Sequence, residues 1–174
     1  DVNESKLLGL IDQAAQLGVE RFVLDDGWFC GRNDDKSSLG DWWADTKKLP
    51  RGLTPLVEAC SRNEMEFGLW VEPEMVSPDS DLYRSHPDWI LSHESAAQLL
   101  ARHQLVLDLA RPEVEAYIFD SLSALLSQHP IRYLKWDMNR DIHQAGNALG
   151  HPAVSGQTRA LYRLLNRVKT AFPE

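Results

Sequence analysis

The stretch IRYLKWDMNR, residues 131–140, decides how this chain folds. It begins as an apolar run of residues that favour β-strands and ends in Lys135, Asp137 and Asn139. Alternate residues of an extended chain point the same way, so these three polar side chains share one face. A cation, a carboxylate and an amide presented together suit a polar, uncharged ligand that the carboxylate can attack. The stretch therefore predicts a strand whose carboxyl end carries a functional site.

The same change from apolar to acidic residues follows three other predicted strands. The run 22–24 leads into Asp25 and Asp26, the run 67–71 leads into Glu72, and the run 105–107 leads into Asp108. Amphipathic stretches with a helical period lie between them. They include residues 7–15, 114–125 and 157–172.

Strands that alternate with helices predict a parallel sheet with right-handed crossovers. Acidic residues at successive strand ends predict one functional face, as in a (β/α)8 barrel. A complete barrel needs roughly 250 residues, and we count only about four strands here. The expectation is an α/β chain forming a partial (β/α)8 TIM barrel, with residues 1–174 belonging to one catalytic domain that lacks its first and last strands. Open sheet edges predict self-association into a homo-oligomer.

Composition excludes several classes of protein. The net charge of −8 argues against nucleic acid or an anionic membrane as partner, and the 43% hydrophobic content supports a real core. No apolar run could cross a bilayer and no signal peptide is present, so a cytoplasmic location is expected. Cys30 and Cys60 form no CxxC, and the six histidines lack metal-ligand spacing. We expect neither a metal nor a cofactor.

Six segments, in this order and spacing, closely resemble bacterial α-galactosidases of glycoside hydrolase family 36. They are FVLDDGW, SSLGDW, FGLWVEPEMV, DSDLYRSHPDW, QLVLDLARPEV and KWDMNR. The resemblance implies a TIM-barrel catalytic domain and a small-molecule galactoside substrate of the raffinose or melibiose type. It also implies hydrolysis by double displacement, with retention at the anomeric carbon. The family's general acid/base, a later strand-end Asp, is absent here, so the 174-residue chain alone is expected to be inactive.

The resemblance makes Asp137 the nucleophile. Such a carboxylate must stay ionised, and Lys135 on the same face would lower its pKa. From spacing alone, a structural salt bridge between Asp137 and Lys135 is an equal alternative. Lys135 would then donate to sugar hydroxyls, with a Schiff-base lysine as its rival role. Asn139 resembles the family residue near the 2-hydroxyl, although a turn-forming Asn would also fit a strand end.

The resemblance also assigns residues that would hold the sugar. Asp25 and Asp26 would accept from the 4- and 6-hydroxyls of galactose, unless one of them braces the loop. Trp70 would cover an apolar C–H face of the ring. Arg102 would reach into the pocket, although an arginine at such a position is more often in a surface ion pair. Glu72 and Glu74 are interpreted as structural.

Three other functions stay open at this point. Galactosyl transfer to sucrose or a raffinose-type acceptor would use the same chemistry. A non-catalytic sugar-binding unit would fit a chain that lacks half of the catalytic pair. A metal-dependent barrel enzyme of enolase type would need several strand-end carboxylates to bind magnesium. Its candidates are Asp26, Glu72, Asp108 and Asp137.

Overall fold

A computed structural model describes residues 2–92, 97–147 and 150–173. Helices and strands alternate along most of this length, as the sequence predicts. In chain order the elements are α1 (Glu4–Gln16), β1 (Arg21–Leu24), α2 (Thr54–Arg62), β2 (Glu66–Val71), β3 (Met75–Val76), α3 (Asp81–Ser85), β4 (Leu105–Val106), α4 (Pro112–Gln128), β5 (Ile131–Trp136) and α5 (Val154–Ala171).

A parallel sheet with the strand order β1-β2-β5 forms the centre of the molecule. In its register Leu24 lies beside Leu69, and Leu69 lies beside Leu134. Strand β2 is buried along nearly its whole length because it has a neighbour on both sides and helix α2 against it. The sheet and its helices confirm the α/β class and correspond to part of a barrel.

The parallel sheet differs from expectation in one respect. Strand β4 pairs antiparallel with β3, so the described residues contribute three parallel strands rather than about four. A short apolar run in the sequence does not determine which strand it pairs with. Pro73 cannot donate a backbone hydrogen bond, so it ends the ladder of β2 and the chain turns back as β3. Asp108 therefore follows a strand that is not part of the parallel sheet, and its carboxylate accepts from the backbone N–H of Ala110 at 3.2 Å.

Helix ends follow local sequence signals. Asn3 caps α1 by accepting from the backbone N–H of Lys6, and the helix stops before Gly18, which has a φ of +75°. Pro112 opens α4 in its first turn. Helix α5 begins at Val154, earlier than the predicted residue 157.

No helix in the described parts of the chain is long and apolar enough to cross a membrane.

An aromatic cluster anchors the long loop between β1 and α2 under the carboxyl end of the sheet. Phe29 lies 4.9 Å from Trp42 and stacks on Trp70 at 6.3 Å with an interplanar angle of 8°. The indole N–H of Trp28 donates to the carbonyl of Trp70 at 2.9 Å. The loop is therefore fastened to β2 by packing and by a buried hydrogen bond.

Gly40 provides a test of how tightly this loop packs. Its φ is +110°, and an added Cβ would lie 2.8 Å from Leu82 Cδ2. Gly40→Ala should lower the free energy of unfolding by about 2–4 kcal/mol, because overpacking adds to backbone strain. Gly9→Ala, in α1 with no atom within 4 Å, should instead raise it by about 0.5–1 kcal/mol. Urea denaturation of the full-length gene product measures both, and equal midpoints would contradict this packing.

Candidate active site

The carboxyl ends of β1, β2 and β5 meet at one edge of the sheet. Asp25 and Asp26 follow β1, Glu72 follows β2, and Asp137 follows β5. The backbone N–H of Asp137 donates to the carbonyl of Val71 at 2.9 Å, so the ladder continues to the site. The structure therefore brings together side chains that are far apart in the sequence.

Asp137 is held by three N–H donors. Its Oδ2 accepts from the indole of Trp70 at 2.9 Å and from the amide of Asn139 at 2.8 Å, and its Oδ1 accepts from the backbone of Met138 at 2.9 Å. Partial burial opposes ionisation of this carboxyl. The three hydrogen bonds and the charge of Lys135 outweigh burial and hold the pKa of Asp137 below its ordinary value. The site thus maintains a carboxylate.

Trp70 contributes the edge of its ring rather than a face. Only 2% of the residue is exposed, since it packs against Phe29 and Trp42. Its indole N–H points at Asp137, whereas the sequence suggested a ring that covers the sugar. The arrangement favours a residue that positions the carboxylate.

Lys135 pairs with Asp25 and not with Asp137. Its Nζ lies 2.7 Å from Asp25 Oδ2, and the two side chains are 44% and 60% exposed. The hydrogen bond to Asp25 raises the pKa of Lys135, so the amine stays protonated. A protonated amine cannot form a Schiff base, which disfavours that alternative role. Both side chains of this ion pair are therefore accessible to a ligand.

Asp26 braces the loop, which is the alternative that the sequence left open for one of the two aspartates. Its carboxylate accepts from Arg32 Nε at 2.9 Å and from a second guanidinium nitrogen at 2.8 Å. The Arg32 side chain is only 3% exposed and also donates to the carbonyl of Ser37. Asp26 and Arg32 border an open cleft of about 330 Å³ that Lys48 also lines.

Arg102 lies at the margin of the site. It is exposed, has a φ of +53° and belongs to a turn between Ala101 and Gln104. Its positive charge acts on the buried Glu72. Within the described residues, no hydrogen bond joins it to Asp137 or Asp25. The structure does not bring this residue into the cluster.

Glu72 is a site residue whose role the sequence did not reveal. It is 1% exposed, and its Oε1 accepts from the backbone N–H of Asn139 at 2.6 Å. Burial raises the pKa of Glu72, and the charge of Asp137 adds to the rise, whereas hydrogen bonds from Asn139 and the charge of Arg102 oppose it. The sequence marked Glu72 as an acidic residue directly after a predicted strand and favoured a structural interpretation, but it gave no sign of the bond to the Asn139 backbone.

The carboxylates at this edge do not converge on one point. Asp25 and Asp26 are bonded to cations, and Glu72 is bonded to the Asn139 backbone. In the ranges that the structure describes, no three His, Cys, Asp or Glu side chains are grouped closely enough to hold a metal ion. The geometry gives no support to a magnesium site of the enolase type.

The two adjacent aspartates should differ in their effect on stability. Asp26→Ala leaves the buried Arg32 guanidinium without its carboxylate and should cost about 3 kcal/mol. Asp25→Ala leaves Lys135, which can turn to water, and should cost less than about 1 kcal/mol. Urea unfolding of the full-length gene product compares them. Equal destabilisation would show that Asp26 does not brace the loop.

Comparison with known proteins shows which enzymes this chain is similar to. A family model described as Melibiase matches residues 1–174. The chain is 51% identical over 171 residues to an α-galactosidase of Escherichia coli, which covers 98% of this chain and 24% of that protein. It is 45% identical over 178 residues to α-galactosidase AgaA of Geobacillus stearothermophilus, with 99% and 24% covered. The chain thus spans about a quarter of the length of these relatives.

Solved structures agree over nearly the whole chain. An α-galactosidase from Lactobacillus brevis superposes with a TM-score of 0.95 at 43% identity, covering 99% of this chain and 24% of that one. A variant of the family 36 α-galactosidase AgaA in complex with raffinose gives 0.94 at 44% identity, covering 99% and 25%. Because the family model matches every residue and these structures share the fold, the chain belongs to the Melibiase family.

Proposed function

We propose that the gene product is a retaining α-galactosidase with Asp137 as its nucleophile. It would hydrolyse terminal α-D-galactosyl residues of raffinose- or melibiose-type oligosaccharides. The observation that carries this proposal is the ionised carboxylate of Asp137, held by Trp70, Asn139 and Met138 at the carboxyl end of β5. Support comes from the relatives, which include AgaA variants crystallised with raffinose and with stachyose.

The hydrogen bonds of Asp137 indicate which oxygen attacks. A carboxylate oxygen has two lone pairs. Oδ2 uses both on Trp70 and Asn139, whereas Oδ1 accepts from Met138 and keeps one free. Oδ1 would therefore add to the anomeric carbon as the glycosidic C–O bond breaks and its electron pair passes to the leaving oxygen. A water then attacks the anomeric carbon from the opposite face and gives a proton to the acid/base, while the bond from that carbon to Oδ1 breaks and its electron pair returns to the carboxylate. The second displacement restores the original configuration.

The leaving oxygen needs a proton from a second carboxyl, about 5–5.5 Å from the nucleophile in retaining enzymes. Asp25 and Asp26 each accept from a cation, an arrangement that suits binding or bracing rather than proton donation. Glu72 is too buried to reach a substrate. The proposal therefore takes as acid/base a strand-end Asp outside residues 1–174, which the family resemblance implies.

The exposed groups of the site suit sugar hydroxyls. The Lys135 ammonium has three donors and uses one on Asp25, so the others can reach a ligand. The Asp25 carboxylate is 60% exposed and can accept in return. Asn139 gives its amide nitrogen to Asp137, which leaves its carbonyl oxygen to accept from the 2-hydroxyl. These contacts would orient the anomeric carbon over Asp137.

Several expectations stay predictions. One is that residues 1–174 form part of a single catalytic barrel domain. Others are that the isolated chain self-associates and shows no glycosidase activity, and that the gene product is cytoplasmic. Substrate contacts by Asp26, Trp70 and Arg102 also stay predictions, and the geometry supports them less than it supports contacts by Asp25, Lys135 and Asn139.

Removal of the nucleophile tests the proposal directly. In the full-length gene product, Asp137→Gly should lower hydrolysis of a nitrophenyl α-galactoside by about 10⁴-fold, because the covalent route is lost. Azide should restore turnover by entering the space and should yield a galactosyl azide of inverted configuration. Asp120→Ala, on an exposed face of α4, is the control and should behave like the wild type. Wild-type turnover by Asp137→Ala would refute the assignment.

Trp70 tests how the carboxylate is kept ionised. Trp70→Phe preserves a buried ring but removes the N–H that donates to Asp137 Oδ2. Since that bond favours the charged form, its loss should raise the pKa of Asp137. The acidic limb of kcat/KM should then move to higher pH, so activity disappears earlier on acidification. Trp43→Phe changes a residue that is 44% exposed and should leave the limb unchanged. A Trp70→Phe profile identical to wild type would contradict the role.

A further inference from the structure

Glu72 differs from the other acidic residues of the site because both of its oxygens are bonded inside the protein. Oε1 accepts from the backbone N–H of Asn139 at 2.6 Å. Oε2 accepts from the side-chain amide of Gln104 at 3.2 Å. With 1% of the residue exposed, this carboxylate has no surface to offer a ligand. Its effect on chemistry must pass through its partners.

The first partner leads to the nucleophile. Asn139 is fixed at its backbone by Glu72, and its side-chain amide donates to Asp137 Oδ2 at 2.8 Å. The backbone N–H of Asp137 still bonds to Val71, but Met138 and Asn139 lie beyond strand β5. The hydrogen bond from the Asn139 N–H to Glu72 therefore fixes the backbone position from which the Asn139 side chain extends.

The second partner of Glu72 is Gln104, which is also bonded to the segment that carries Asn139. The carbonyl of Gln104 accepts from the guanidinium of Arg140, which is the residue after Asn139. Gln104 and Arg140 are 2% and 8% exposed. The segment that carries Asn139 is thus hydrogen-bonded to Glu72 through the Asn139 N–H. It is also bonded, through Arg140, to Gln104, the other partner of Glu72. Its position is set by buried polar contacts rather than by solvent-exposed ones.

We propose that Glu72 is a positioning residue, which holds the Asn139 backbone so that the Asn139 amide stays on the nucleophile Asp137. This inference rests on the proposed function. Without an acceptor at residue 72, the half-buried Asn139 N–H would lose its partner, and the segment would shift to find another. Asp137 would then lose one of its three donors and its defined orientation.

The network permits a matched pair of substitutions. Glu72→Gln keeps an oxygen for the Asn139 N–H, and its new amide can donate to Gln104 Oε1, a buried oxygen without a hydrogen-bond partner among the described residues. That match needs only a flip of the Gln104 amide. Glu72→Met has nearly the same length and no strong acceptor. Both variants remove the carboxylate of Glu72, and they differ in whether residue 72 still bonds to the Asn139 N–H and to Gln104.

The experiment measures pH profiles and kcat in the full-length gene product with a nitrophenyl α-galactoside. Glu72→Gln should stay within about fivefold of wild type, since one acceptor replaces another. Glu72→Met should lose about 10²-fold in kcat, the scale of a small misplacement of a reacting group. Its acidic limb should lie at higher pH than that of Glu72→Gln, because only Glu72→Met frees the Asn139 amide from Asp137.

A double-mutant cycle separates positioning from general damage. Asn139→Ala removes the amide that donates to Asp137, so adding Glu72→Met to it should cost little more. Should Glu72→Met not fold, Glu72→Asp, which keeps the charge but shortens the reach, should move the limb upward from wild type. Equal kcat and equal limbs for Glu72→Gln and Glu72→Met, or fully additive losses with Asn139→Ala, would overturn the inference. Absence of turnover in the wild type would instead overturn the proposed function.

Discussion

The structure depends on the parallel pairing of β2 with both β1 and β5. Gly68 makes this close approach possible, because an added Cβ would lie 3.0 Å from Val23 and 3.2 Å from Tyr133. The register shifts beside it, between Phe67 and Gly68, and the shift brings Lys135 level with Trp70. A slip by one residue would turn every side chain of β5 to the opposite face. The carboxylate at position 137 would then point away from its indole donor.

The site treats its carboxylates in three different ways. Asp25 and Asp26 are balanced by cations, Asp137 is balanced by neutral N–H donors, and Glu72 is buried on a backbone amide. The difference has a chemical consequence. For the proposed nucleophile Asp137, the N–H donors lower the pKa of the carboxyl and leave one lone pair of Oδ1 free to attack carbon. Lys135 pairs with Asp25, so its charge reaches Asp137 without capping it.

The sequence could predict the parts of the site that depend on strand periodicity. Lys135 lies on β5 and Asp137 directly follows it, and the structure places the charge of Lys135 near Asp137 as the alternation predicts. Asn139 also contacts Asp137, but it lies beyond the strand. Contacts made by loops could not be read in the same way. The Asp26–Arg32 pair spans a turn whose path depends on buried aromatic rings, and the partner of β4 was set by the turn at Pro73. Glu72 was interpreted as structural, but its bond to Asn139 could not be predicted, because the partner is a backbone N–H, which no sequence pattern marks.

The hydrogen bonds of the site join residues that are distant along the chain. Lys135 and Asp25 are 110 residues apart, and the Trp70–Asp137 and Glu72–Asn139 bonds each span 67 residues. Closing such long loops costs conformational entropy that the site's few polar bonds cannot offset by themselves. The hydrophobic core and the sheet must supply that free energy first, and the strand ends then arrive already aligned. The geometry around Asp137 is therefore a property of the folded sheet, and a change in the packing of β2 would disturb it without touching any residue of the site.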